Sequence, residues 1–223
     1  MVAIMVAVYF LEFVGVGSFR QWGIRPREIE GLWGILFSPF LHGSREHLFN
    51  NSIPTLVLGS ALFFFYREIA WKTLIWIMLM GGFWVWVSAR AHTNHIGMSG
   101  VVYGLVSFLF LSGILRKHIG LIAISMLMVF MYGSLIWGIF PIKEGVSWEG
   151  HLWGAISGVI LAWYLQKEGV QRKLYQWELD EIEEEKELER LRNLPPEELH
   201  TDSSSDDAWD FLYEWKEKDN GSQ

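Results

Sequence analysis

The stretch "HIGMSGVVYGLVSFLFLSGIL", His95 to Leu115, sets a serine between small residues at the mouth of a run, 101–115, that holds no charged residue. A helix needs roughly 20 mostly apolar residues to cross the hydrocarbon of a bilayer. Working outward, six such runs can be read: 1–17, 47–65, 70–88, 98–115, 119–140 and 148–165. The 223 residues are 51% hydrophobic, with 13 Trp and 15 Phe, more than one soluble core of this size carries. The expected fold class is therefore an all-α membrane protein with six transmembrane helices. The first run lacks a basic flank and a small-residue cleavage site, so it reads as a retained span rather than a signal peptide.

Charge divides the chain. Residues 1–166 hold 10 Lys and Arg against 7 Asp and Glu, whereas 167–223 hold 8 against 18, an acidic tail that leaves the chain at −7. The expected organisation is a six-span domain over 1–166, a charged juxtamembrane helix over 167–193, and a linker with an aromatic end over 194–223. In that last piece "AWDFLYEWKEKD" puts Trp209, Leu212 and Tyr213 on one helical face. Between the first two spans, Ile29, Leu32, Trp33, Leu36, Phe37 and Phe40 recur at helical spacing, as in a helix lying in the membrane interface. The chain has no cysteine, which rules out disulfides and thiolate metal sites.

Polar groups inside spans are costly in lipid and concentrate at functional sites. "HGSREHLFNN" puts His47 and Asn51 one turn apart near the start of the second span, Ser99 and Tyr103 share a face near the start of the fourth, and His151 lies near the start of the sixth. Consecutive spans alternate direction, so the second, fourth and sixth run the same way and these starts lie at similar depth. Gly100 and Gly104 on the fourth span, and Gly150, Gly154 and Gly158 on the sixth, let the two backbones approach. Ser99 and His151 then fall within hydrogen-bond reach. A neutral imidazole that takes the serine proton can return it to a leaving amine. The backbone N–H of Ser99, an imidazole N–H of His47 and the amide of Asn51 are candidate donors to the oxyanion, and Tyr103 can stack on His151. No aspartate is placed to orient the histidine; Glu149, two residues away on a helix, points elsewhere.

Three patterns in chain order carry a resemblance: His42, His47 and Asn51 in the spacing HxxxxHxxxN, "GMSGVVYG" around Ser99, and "GHLWGAISG" around His151. Over roughly 1–166 the chain resembles the rhomboid family of intramembrane serine proteases, and "GLWGILFSPFLHGSREHLFNN" is similar to that family's first loop and second span. The resemblance implies a six-helix bundle with a water-filled cavity opening to the extracellular or periplasmic side. It implies Ser99 as nucleophile and His151 as base in a dyad, His47 and Asn51 as oxyanion donors with Gly97 lining the same pocket, and Tyr103 packing on the base. Substrates would be single-span membrane proteins cut near the top of a helix. No cofactor, metal or nucleic acid enters this reading. The Trp-Arg pair that some bacterial members carry in the first loop is missing here.

Other readings sit beside it. His42 reads as a structural hydrogen-bonding residue of the loop, and Glu12 as paired within the bundle near its outer end. His92 and His95 beside His42 and His47 lack a carboxylate or cysteine to complete a metal site. A catalytically weak rhomboid-like binder of client helices would typically lack Ser99 or His151, and a small transporter would usually show broken helices or repeats. With the N-terminus inside, inner loops hold seven basic residues and outer loops six, a difference too small to fix orientation. The cytoplasmic placement of both termini comes from the resemblance.

Overall fold

The computed structural model describes residues 1–131, 137–142, 145–169 and 176–193. It divides into two compact units, Met1–Arg172 and Lys173–Gln223. The described residues are helical throughout their regular elements, joined by turns and one isolated antiparallel bridge between Ile24 and His95.

In the first unit, α1 spans Val2–Phe13. The first loop follows, and its apolar periodicity forms a helical stretch broken into three abutting pieces: a 3-10 turn at Ile29–Trp33, α2 at Gly34–Phe37 and a second 3-10 turn at Ser38–Phe40. The stretch is helical, as the spacing predicts, with 3-10 geometry at both ends. The break follows from packing, because Gly34 lies so close to the backbone of Gly23 that a Cβ would stand 2.3 Å from its carbonyl carbon. Gly31, Gly34, Ser38 and Pro39 face inward, while Ile29, Trp33 and Phe37 are exposed, as suits an apolar solvent.

Helix α3, Arg45–Phe65, starts where the Ser44 hydroxyl accepts from the His47 N–H at 3.0 Å, with Glu46 in the first turn. Then come α4 at Ala70–Ser88, α5 at Ser99–Leu115, α6 at Ile119–Met131 and α7 at Trp148–Tyr164, the last capped by Ser147. Helices α3 and α4 are long and apolar enough to cross a membrane, at 21 and 19 residues; α5 and α7, with 17 each, lie at the lower limit. Residues 132–136 of the fifth apolar run lie outside the described residues. Large apolar side chains point outward along the helices, including Phe64, Trp71, Phe130 and Trp163.

Helix α5 is the hub. Nine of its 17 residues are buried, and its closest neighbour is α7. A Cβ on Gly154 would stand 2.0 Å from the Gly100 carbonyl oxygen, and one on Gly158 would stand 2.1 Å from that of Gly104. The two backbones therefore touch along a glycine seam that begins beside Ser99. At the far end of the seam the buried Arg116 guanidinium closes the bundle. It donates to the carbonyls of Leu165 (2.6 Å) and Glu168 (2.7 Å) and to the Ser112 hydroxyl, and lies 5.1 Å over the Tyr66 ring. A cation at the C-terminal ends of α5 and α7 meets unsatisfied carbonyls and favourable dipoles.

In the second unit, α8 occupies Gln176–Asn193, with Arg190 and Arg192 in its last turn and an exposed Glu187–Arg190 pair at 3.6 Å. Such a pair contributes little to stability. The aromatic terminal segment around Trp209, Leu212 and Tyr213 lies outside the described residues.

Candidate active site

The N-termini of α3, α5 and α7 bring the polar residues of the three sequence patterns to one end of the bundle. Ser99 is the first residue of α5 and His151 lies in the first turn of α7, across the glycine seam. Ser99 Oγ and His151 Nε2 are 2.7 Å apart. His151 Nδ1 lies 2.8 Å from the Gly138 carbonyl oxygen, which can only accept, so Nδ1 carries the proton and donates. Nε2 is therefore the bare nitrogen, and the Ser99 hydroxyl donates to it. The Tyr103 ring stacks on the imidazole at 4.2 Å and 9°. A main-chain carbonyl thus orients the histidine where many serine hydrolases use a carboxylate.

Opposite Ser99, the Gly43 N–H donates to His47 Nδ1 at 3.4 Å, leaving His47 Nε2 as the protonated nitrogen. That nitrogen and the Asn51 amide converge on Gly97: a Cβ there would stand 2.6 Å from His47 Nε2 and 3.7 Å from Asn51 Nδ2. Gly97 also has a φ of 109°, which L side chains rarely adopt, so glycine is required twice over. Its N–H donates to the Ser38 carbonyl at 2.8 Å, pinning the pocket floor to the first loop. One Asn51 amide proton is used on the His47 carbonyl at 2.9 Å; an –NH₂ group has a second to give. The Ser99 N–H opens a helix, so no carbonyl within α5 takes it.

A cavity of about 50 Å³, lined by Ser38, His95, Gly97, Ser99, Ser147 and Gly150 with apolar walls from Ile77, Met78 and Val85, adjoins the serine. That is room for a few waters. His42 is fully buried, donates through Nδ1 to the Phe40 carbonyl at 3.3 Å and meets the His47 ring edge-on at 5.0 Å. Burial, then the neighbouring His47, push its pKa down to about 4, so it is neutral at physiological pH.

Several placements differ from the sequence reading or were not visible in it. Glu12 accepts the Phe19 N–H at 2.7 Å, which closes the end of α1 onto the first loop. Glu149, buried, takes Arg90 at 2.6 Å, while His151 Nδ1 is held by the Gly138 carbonyl. His92 is exposed, and no group of three or more metal-ligating side chains stands together among the described residues. The Gly138 carbonyl and the His95–Ser147 contact, at 2.5 Å, were missed. A carbonyl carries no residue-type signal, and Ser147 could have been found only as an N-cap before α7.

The comparisons with known proteins give a family model and several relatives. A family model described as Rhomboid domain matches residues 30–168. An uncharacterized protein of Mycobacterium tuberculosis is 36% identical over 173 residues, covering 74% of this chain and 72% of its own length. One from Mycobacterium leprae is 38% identical over 174 residues, covering 72% and 68%. The rhomboid protease GlpG of Yersinia enterocolitica is 28% identical over 165 residues, 71% of this chain and 59% of GlpG. The family match runs from the first loop through the end of α7 and takes in every residue of the site: the chain belongs to the rhomboid family.

Proposed function

We propose that this protein is an intramembrane serine endopeptidase that cleaves single-span membrane proteins with Ser99 as nucleophile and His151 as general base. The observation that carries this reading is the 2.7 Å contact from Ser99 Oγ to the bare Nε2 of an imidazole whose other nitrogen is held by Gly138. In the first step Ser99 Oγ attacks the scissile carbonyl while its proton passes to Nε2. The oxyanion meets His47 Nε2–H, Asn51 Nδ2–H and the Ser99 N–H, donors already in place before charge develops. The imidazolium then gives its proton to the leaving amine, the C–N bond breaks, and an ester on Ser99 remains. Water from the adjoining cavity, deprotonated by His151, hydrolyses that ester and restores the hydroxyl.

In this reading α1, α3, α4, α5, α6 and α7 all lie in the membrane, with both termini cytoplasmic and the site opening to the extracellular or periplasmic side. Outward apolar side chains along the helices support the embedding. The scissile segment has to leave its helix to meet Ser99 at the start of α5, which favours substrates with small or helix-breaking residues there. Co-reconstitution of the protein with a generic single-span substrate in liposomes tests the proposal. Wild type should release two fragments and Ser99→Ala none; equal cleavage by both would remove the function assigned to Ser99.

A further inference from the structure

A second serine–histidine contact lies beside the first. Ser99 meets His151, and four residues earlier on each partner His95 meets Ser147, with both pairs 52 residues apart in the chain. His95 and Ser147 line the same cavity as Ser99. The hydrogen bonds around the second pair fix its direction. Thr93 Oγ1 donates to the Arg90 carbonyl at 2.6 Å, so toward His95 Nε2, at 2.8 Å, it can only accept. Nε2 therefore carries the proton, Nδ1 is bare, and the Ser147 hydroxyl donates to it at 2.5 Å. Ser147 Oγ also accepts the Gly150 N–H at 3.3 Å as the N-cap of α7. Like Ser99 it donates to a bare imidazole nitrogen, but its oxygen also caps α7, so the contact ties the start of that helix to the segment before α5.

The same two segments are joined a second time. Arg90 reaches Glu149 through Nε at 2.6 Å and Nη2 at 3.3 Å, a two-pronged ion pair whose carboxylate is buried. The His95 backbone in turn exchanges both hydrogen bonds with Ile24 at 2.9 Å, which anchors the segment to the first loop. Residues 90–95 are thereby fastened to residues 147–149, immediately before Ser99 and immediately before His151.

We propose that His95 and Ser147, supported by Arg90 and Glu149, are positioning residues: a clamp that holds the first turn of α7 in register with the start of α5, so that His151 meets Ser99. The proposal rests on the dyad reading above. The glycine seam sets how closely the helices approach but supplies no directional bond at the first turn. The bonds at residues 147 and 149 supply that direction.

The test uses the full chain in liposomes and two readouts. Ser147→Gly removes the hydroxyl while keeping an acceptable N-cap residue, and His95→Ala removes its acceptor. Each should lower kcat about 10- to 100-fold with KM within about twofold, since displacement of the order of 1 Å costs that much. His95→Asn, which returns an acceptor near the Nδ1 position, should recover most of the loss. Hydrogen exchange at residues 147–152, which needs no catalysis, should quicken in His95→Ala and return toward wild type in His95→Asn. The clamp is overturned if kcat falls only in proportion to folded protein, if His95→Asn is no better than His95→Ala, or if exchange at 147–152 is unchanged. Ser99→Ala in the same assay separates the two claims: residual cleavage there sinks the dyad reading, while the exchange data still decide the clamp.

Discussion

Gly138→Ala tests whether the main-chain carbonyl orients the base. A Cβ at residue 138 would stand 2.0 Å from the Tyr103 hydroxyl oxygen, 3.1 Å from the ring carbon bearing it and 3.0 Å from His151 Nδ1. Ordinary contact begins at 3.4 Å, so relief needs about 1.4 Å of movement. Tyr103 cannot supply this independently, because its ring is stacked at 4.2 Å on the imidazole. The movement falls on the 3-10 turn Trp137–Ile139 that carries the Gly138 carbonyl, or on His151 itself. Either way the Nδ1–H donor loses its acceptor, and a misplacement of about 1 Å costs roughly 100-fold in kcat, about 2.7 kcal/mol. Steady-state cleavage of a single-span substrate beside the melting temperature of the same preparation gives the measurement. Adding Tyr103→Phe deletes the nearest clashing atom and should restore part of the rate, a coupling that independent effects would not show. Wild-type kcat in Gly138→Ala would refute the orienting role, and a low rate untouched by Tyr103→Phe would refute the steric route to it.

Asn51→Ala should lower kcat by about 10- to 1000-fold, roughly 1.4 to 4 kcal/mol, with KM little changed, because the charge that it meets exists only in the transition state; a destabilised variant with unchanged kcat would leave Asn51 a purely structural residue. Gly154→Ala drives a methyl to 2.0 Å from the Gly100 oxygen, where backbone faces backbone, and should cost at least about 1–3 kcal/mol in unfolding measurements; an unchanged melting temperature would contradict the seam. His42 has a folded pKa of about 4 against 6.5 ordinarily, so the unfolded chain binds its proton more strongly and stability, full above pH 6.5, falls as pH drops toward 4 by roughly 3 kcal/mol. His42→Gln should flatten that part of the melting-temperature profile, and parallel profiles would count against it.

The juxtaposition of Ser99 with His151 could be read from the sequence because three separate regularities agree on it. Long apolar runs mark the helices, alternation of direction puts the starts of α3, α5 and α7 together, and glycines four apart mark where α5 and α7 touch. Each depends on side-chain type at a fixed spacing, which sequence records directly. Three features were not legible for the opposite reason. The Gly138 carbonyl belongs to the main chain, which every residue has. The His95–Ser147 and Arg90–Glu149 contacts join positions more than 50 residues apart whose periodicity is unremarkable. The first loop kept its helical spacing in sequence, yet Gly34 packs backbone against backbone and the helix breaks into short turns. Glu149 shows the converse: helical geometry turned it away from His151, but nothing in the spacing named Arg90 as its partner.

The central claim is that Ser99 is a nucleophile activated by His151, and covalent capture reads it most directly. The folded protein in detergent is treated with a small fluorophosphonate, and the adduct is located by peptide mass spectrometry. The account predicts one adduct, on Ser99 Oγ, absent in Ser99→Ala and strongly slowed in His151→Ala. An adduct on Ser147, or Ser99 labelling at an equal rate without His151, would contradict it.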